Sequence, residues 1–122
     1  PISLVGSEMC IRDRLYTDPE GKFQITIRGK VDGIVDDTII ESKNRTKRLF
    51  KMLRPYEKVQ LEAYMFLTGI KKAVLTEYYN EESCAIEYNH DSQFWNDLCT
   101  RSIIPRVVDA LKVYECMDFI DK

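Results

Sequence analysis

Apolar and polar residues alternate with period two across Phe23-Gln24-Ile25-Thr26-Ile27-Arg28, the pattern of a strand with one buried face. It predicts a strand that continues to Ile34, preceded by a turn at Asp18-Pro19-Glu20-Gly21. Val35-Asp36-Asp37 predicts the next turn and Thr38 to Lys43 the return strand, whose Ile39-Ile40 start points to a central place in the sheet. From Tyr56 to Thr68 the period becomes helical, with Val59, Ala63, Phe66 and Leu67 on the expected inner side and Glu57, Lys58 and Glu62 elsewhere. Pro55 marks a break or a helix start, and Gly69 a helix stop. Two further strands are expected over Ala73 to Tyr79 and Cys84 to Tyr88, with a turn over Asn80 to Ser83. A last helix, capped by Asp91 or Ser92, carries Phe94, Trp95 and Leu98. Pro105 should kink or divide it before a second apolar stripe of Val107, Val108, Leu111 and Tyr114.

The order β-β-α-β-β-α predicts an α/β (α+β) domain, with a mixed central sheet of about four strands flanked by helices. The 122 residues suit one domain, and an apolar content of 44% allows a sizeable core. A net charge of −2 argues against a uniformly basic surface but permits a local basic groove. No apolar run is long enough to span a bilayer and no signal-peptide pattern is present, so an intracellular protein is expected, with no membrane partner. Cys10, Cys84, Cys99 and Cys116 form no C-x-x-C pair and read as small apolar residues. His90 is the lone histidine, and a polar surface or strand-end role suits it better than catalysis or metal binding.

The chemistry lies in Gly29-x-x-Asp32 and in Glu41-Ser42-Lys43 after the Ile39-Ile40 pair. An acid-x-lysine triplet alone is common among ordinary strand-end charges. Here Asp32 and Glu41 are expected at one end of adjacent strands, where they can share a hard divalent cation with the backbone carbonyl of Ser42. Lys43, two residues after Glu41, projects from the same face and can orient the attacking water or stabilise developing negative charge. Gln60 and Tyr64, four apart, share a face of the following helix. Six basic residues and no acidic one lie between Lys43 and Arg54. Such a run suits phosphate contact, with Arg45, Lys47 and Arg48 the candidate DNA-binding residues. Tyr78, Tyr79 and Trp95 read as core or sheet-face residues rather than base-stacking platforms.

The ordered set Gly29-x-x-Asp32, Glu41-Ser42-Lys43 and Gln60-Leu61-Glu62-Ala63-Tyr64 resembles the PD-(D/E)XK nuclease superfamily, and its Gln-x-x-x-Tyr element the branch of RecB-type nucleases, lambda-type exonucleases and YqaJ-like viral recombinases. The resemblance covers about Arg28 to Leu98. It implies a restriction-endonuclease-like core, Mg²⁺ or Mn²⁺ held by Asp32, Glu41 and Ser42, and Lys43 as the catalytic lysine, supported by Gln60 and Tyr64. Val31 stands where the superfamily name has proline. The implied activity is metal-dependent DNA hydrolysis by a phage- or virus-like exonuclease of recombination or replication. The alternatives are an endonuclease on the same fold and a non-catalytic DNA-binding or assembly module. A homo-oligomer or a recombination partner protein is compatible with either. Iron–sulfur relatives are disfavoured by the wide spacing of the cysteines.

Residues Leu4 to Asp13, with the core Glu8-Met9-Cys10-Ile11-Arg12-Asp13, resemble the reading-frame translation of a transposase-type sequencing-library adapter. Residues 1–14 are therefore expected to be non-native, and 15–122 the nuclease-like domain, truncated upstream. Removing residues 1–13 moves the net charge only from −2 to −1. Superfamily members usually carry an acidic residue or histidine on an upstream helix. A weak or inactive nuclease is thus expected from the chain as written, and an active one from its intact parent.

Overall fold

A computed structural model describes residues 2–3 and 11–117. Most of the segment read as adapter-derived, residues 1 and 4–10, lies outside the described residues, as does Cys10. The elements are β1 (Ile2–Ser3), β2 (Ile11–Thr17), β3 (Gln24–Gly29), β4 (Gly33–Val35), β5 (Thr38–Asn44), α1 (Pro55–Thr68), β6 (Lys72–Tyr79), β7 (Glu82–Asn89), α2 (Ser92–Leu98), a π-helical segment (Cys99–Ile103) and α3 (Ile104–Met117). Contacts divide the described residues into two compact units, one within 1–13 and 27–90 and one within 14–26 and 91–117.

The first unit contains a mixed sheet in the order β1-β4-β5-β6-β7. β5 and β6 are parallel, in the register Ile39↔Ala73 to Asn44↔Tyr78, and the other neighbours are antiparallel. A parallel pair needs a crossover, and α1 supplies it. The expected α+β class with a mixed sheet is what the chain forms. β4 and β5 are joined by Asp36 and Asp37, both left-handed (φ 47° and 60°). That two-residue primed geometry follows the strand twist, and aspartate tolerates it better than most residues.

One face of the sheet is closed by α1. Val31, Ile39, Leu61, Met65 and Ala73 form the buried cluster, with Ile34, Leu53, Tyr64, Ile70 and Tyr88 packed against it. The inner face of α1 differs from expectation. Glu57, Leu61, Glu62 and Met65 are its buried residues, while Val59, Ala63, Phe66 and Leu67 are half-buried. The helix turns two glutamates inward because each meets a polar partner on the sheet. α1 stops where expected: Gly69 is left-handed (φ 76°) and its N–H donates to the Met65 carbonyl.

The strand expected from Phe23 to Ile34 is two strands. β3 pairs with β2, and after a break at Lys30–Asp32, β4 pairs with β5. At the break Val31 enters the core, and the Asp32 carboxylate accepts the Ser42 N–H at 2.9 Å, beyond the last β4 partner of β5. A side chain thus replaces a strand as the partner of that donor.

In the second unit, the Asp18–Gly21 turn closes with Gly21 N–H on the Asp18 carbonyl, and the Tyr16 and Phe23 rings lie 6.0 Å apart. Asp91 caps α2 by accepting the Phe94 N–H at 3.0 Å. Trp95 and Cys99 are buried, and burial pushes the Cys99 thiol up. The disruption expected at Pro105 is the π-helical segment just before it, where Ile104 N–H reaches the Cys99 carbonyl. Widening the turn accommodates a ring that has no N–H and would crowd an α-helical carbonyl. Among the described residues no helix is long and apolar enough to cross a membrane.

Leu61 is wholly buried beneath the sheet. Leu61→Ala should cost about 2–5 kcal/mol of stability through lost burial and a residual cavity, read as a lower midpoint in urea denaturation.

Candidate active site

β5 alternates, so Ile39, Glu41, Lys43 and Arg45 project toward α1. Ile39 lies in the core, Glu41 is buried, and Lys43 donates from Nζ to Gln60 Oε1 at 3.0 Å. Gln60 donates in turn from Nε2 to Tyr64 Oη at 2.9 Å. Five of the expected residues, Asp32, Glu41, Lys43, Gln60 and Tyr64, therefore converge in one place.

The two carboxylates face each other. Burial pushes the Glu41 carboxyl up to about 7, and the adjacent Asp32 charge and hydrogen bonding between the two carboxyl groups add to the rise. Lys43 and the Asp32 backbone N–H oppose it. Asp32 is solvent-exposed, whereas Glu41 Oε2 is buried with no hydrogen-bond partner. When both groups are ionised no proton lies between them to bridge the pair. Tyr64 is pushed up too, first by burial and then by the Glu41 charge, and this keeps its phenol protonated.

An orphaned buried carboxylate oxygen beside a second carboxylate is the donor set of a hard cation. Magnesium sites commonly use one or two carboxylates, with water and substrate phosphate completing the shell. The Ser42 N–H points toward Asp32, and the carbonyl of a strand residue points to the same side as its N–H. The residues therefore fit Mg²⁺ or Mn²⁺ through Asp32, Glu41 and the Ser42 carbonyl. Among the described residues no group of three or more His, Cys, Asp or Glu side chains could hold a metal.

Gly29 has a steric role. A Cβ there would lie 3.0 Å from Tyr64 Cε1 and 3.5 Å from Cδ1, so the Tyr64 ring occupies the space that a side chain would fill. The glycine three residues before Asp32 thus seats the tyrosine of the helix.

In the basic run, the Arg45 side chain, expected to contact DNA, is largely enclosed between two glutamates. Its Nη1 lies 2.8 Å from Glu57 Oε2, out of line for a directional hydrogen bond, and its Nη2 lies 2.9 Å from Glu77 Oε1. Its Nε donates to Glu77 at 3.0 Å. Hydrogen bonds to Glu57 raise the guanidinium pKa further, and those to Glu77 add to them against the effect of burial. Burial alone would push both carboxyls up. For Glu57, hydrogen bonds from Arg45 and the Arg54 N–H outweigh it; for Glu77, those from the Lys51 and Phe50 N–H groups and from Arg45 do. Both end below the ordinary range. Lys47 and Arg48 remain exposed.

Sequence reasoning missed Glu57 and Glu77. The signal was available: β6 alternation puts Glu77 on the inward side with Ala73 and Leu75, and Glu57 lies one helical turn before Leu61. A second polar cluster was also missed. Buried Glu62 accepts a short hydrogen bond from the Tyr88 hydroxyl and lies 2.6 Å from His90 Nδ1. His90 does sit at a strand end, its N–H on the Lys71 carbonyl.

No family model matches the chain, and no curated protein matches it. Among solved structures the chain is similar to the crystal structure of SSO0001, with a TM-score of 0.62 and 20% sequence identity, over 84% of this chain and 49% of that one. At that identity the likeness speaks to the fold alone. The chain spans about half the length of that protein.

Two stability predictions follow from these charges. Because Glu57 and Glu77 have lowered folded-state values, their contribution is full above about 4.5 and is lost as pH falls through those values. Arg45→Met should cost about 3–5 kcal/mol at neutral pH, and the gap from wild type should narrow below about pH 4, read from denaturation curves over pH. Glu41 has the opposite sign: its contribution is present below about 4.5 and falls as pH rises through about 7. Glu41→Gln should therefore stabilise the metal-free protein above pH 7 by roughly 1–2 kcal/mol and change little at pH 4.

Proposed function

We propose that this chain is the core of a Mg²⁺- or Mn²⁺-dependent nuclease that hydrolyses DNA phosphodiester bonds, an exonuclease of recombination or replication of the PD-(D/E)XK type. One observation carries the reading. Glu41, beside the Asp32 carboxyl, keeps a buried oxygen without a hydrogen-bond partner, an arrangement that costs folding energy and that a divalent cation would relieve. When bound, such a cation activates water and offsets charge on the phosphoryl oxygens.

The chain's own residues have separate roles. Asp32 and Glu41 hold the cation, and Asp32 is itself fixed by the Ser42 N–H. Lys43 presents an ammonium on the same face, held by Gln60 so that its charge is directed without side-chain search. Nζ can still donate two hydrogen bonds, one to an attacking water and one to a phosphoryl oxygen. Gln60 is oriented by the Tyr64 hydroxyl, which accepts its Nε2 proton. The Tyr64 O–H then has its own proton to give to a carboxylate or to water. Lys47 and Arg48, exposed on the loop after β5, supply the contacts to DNA.

The test has two arms. Titration with Mn²⁺, followed by electron paramagnetic resonance, should show one site in the chain and none in Asp32→Ala or Glu41→Ala. Where a form of this protein cleaves linear DNA, Lys43→Ala should lower that cleavage by at least about a hundredfold and leave Mn²⁺ affinity within about threefold. Closed circular DNA should resist the enzyme if it is an exonuclease, and its cutting would favour the endonuclease. A folded chain that binds no Mn²⁺ would refute the metal site. A protein that binds DNA and Mn²⁺ in every form without cleaving would favour the assembly module.

A further inference from the structure

We propose that the cleft between Asn44 and Phe50 is a preformed site for a nucleic-acid phosphodiester backbone, and that Glu77, buried behind it, is the positioning residue that shapes it. The choice of ligand rests on the nuclease reading above. The cleft has a volume of about 210 Å³ and is lined by Asn44, Arg45, Thr46, Lys47, Arg48 and Phe50.

Glu77 stitches both ends of the loop to one carboxylate. Its Oε1 accepts from Arg45 Nε and from the Phe50 N–H, each at 3.0 Å, and its Oε2 from the Lys51 N–H at 2.8 Å. Lys51 is left-handed (φ 60°), a conformation that a non-glycine residue holds only when its surroundings fix it. With residues 45, 50 and 51 fixed, the residues between them form a defined arch rather than a mobile chain.

The charges of the arch are divided. Among the described residues, the ion pairs of this loop involve Arg45 and not Lys47 or Arg48. The guanidinium groups of Arg45, Arg48 and Arg54 lie 4.7, 4.6 and 4.4 Å from the centre of the Phe50 ring. The ring orients these cations by its quadrupole but does not neutralise them. Arg45 is compensated from inside by Glu57 and Glu77. An anion in the cleft would relieve the repulsion between the others. Arg45 follows Lys43 by two residues, so the cleft opens roughly 7 Å along the strand from the catalytic lysine. That spacing is the order of one nucleotide step, so a strand whose phosphate sits at Lys43 has the reach to enter the cleft.

The test is binding of a short fluorescein-labelled oligothymidylate, by anisotropy in EDTA at several salt concentrations, beside Mn²⁺ titration of the same proteins. The double variant Lys47→Ala/Arg48→Ala should bind at least about tenfold more weakly, with a salt slope shallower by about one to two. Glu77→Gln should melt cooperatively, lose at least threefold in oligothymidylate affinity and keep its Mn²⁺ affinity within twofold. Where that variant melts below the assay temperature, Glu77→Asp, which keeps the charge and shortens the reach, makes the same comparison. Asp32→Ala should do the converse, losing Mn²⁺ and keeping the oligothymidylate. The proposal is overturned if the wild type does not bind, if the double variant binds like the wild type, or if the Glu77 variant either binds unchanged or loses Mn²⁺ in step. Failure of the nuclease reading appears separately, as absent Mn²⁺ binding with the EDTA assay unaffected.

Discussion

Arg45, buried between Glu57 of α1 and Glu77 of β6, joins the elements from which the site is built. Desolvating three charges is unfavourable, and one guanidinium cannot neutralise two carboxylates. The balance comes from backbone: the Arg54 N–H serves Glu57, and the Phe50 and Lys51 N–H groups serve Glu77. The connection between β5 and α1 must therefore fold back on itself to deliver those donors. The same contacts set the register of α1 on β5. Arg45 meets Glu57, Lys43 meets Gln60, and Glu41 lies close enough to Tyr64 to shift its titration. From Glu57 to Tyr64 the helix rises about 10 Å, and from Arg45 back to Glu41 the strand covers about 13 Å. Helix and strand run antiparallel with nearly matched steps, so fixing the first pair brings the other two into reach.

Along that ladder the environment grades from stable to frustrated. At the Arg45 end, opposite charges pair and both carboxyls titrate low. At the Glu41 end, like charges meet, and one carboxyl titrates at about 7. A chain selected only for stability would place an apolar or amide group at position 41, next to Ile39. A costly acid retained on a core-facing position, with a second acid against it, is the pattern expected where charge is needed for chemistry.

Much of this was legible in the sequence. The alternation of residues 23–28 and 84–88, the stop at Gly69 and the cap at Asp91 depend on local chemistry, and each appears within a residue or two of its expected place. The convergence of Asp32, Glu41, Lys43, Gln60 and Tyr64 also follows from local periods once strand and helix are paired. What was not legible depends on partners distant in sequence. The strand breaks at residues 30–32 because Val31 finds the core and Asp32 finds the Ser42 N–H. Arg45 looked like one more cation in a basic run, because its partners lie 12 and 32 residues away. Glycine at 29 is explained only by a tyrosine ring from α1.

The second polar cluster completes the account of α1. Leu61 and Met65 alone would leave the helix free to slide along a flat apolar surface, since apolar packing is weakly directional. Glu57 fixes its first turn against Arg45. Glu62, on the opposite flank of Leu61, is held by Tyr88 and His90 at the end of β7. Two buried carboxylates, five residues apart and gripped by different strands, resist both translation and rotation of the helix. Gln60 lies between them and Tyr64 one half-turn beyond, so the side chains that orient Lys43 stand on or next to the stretch that both carboxylates hold. Functional constellations require placement to roughly 0.5 Å, and two buried carboxylates held from different strands restrict the helix more than leucine and methionine packing alone does.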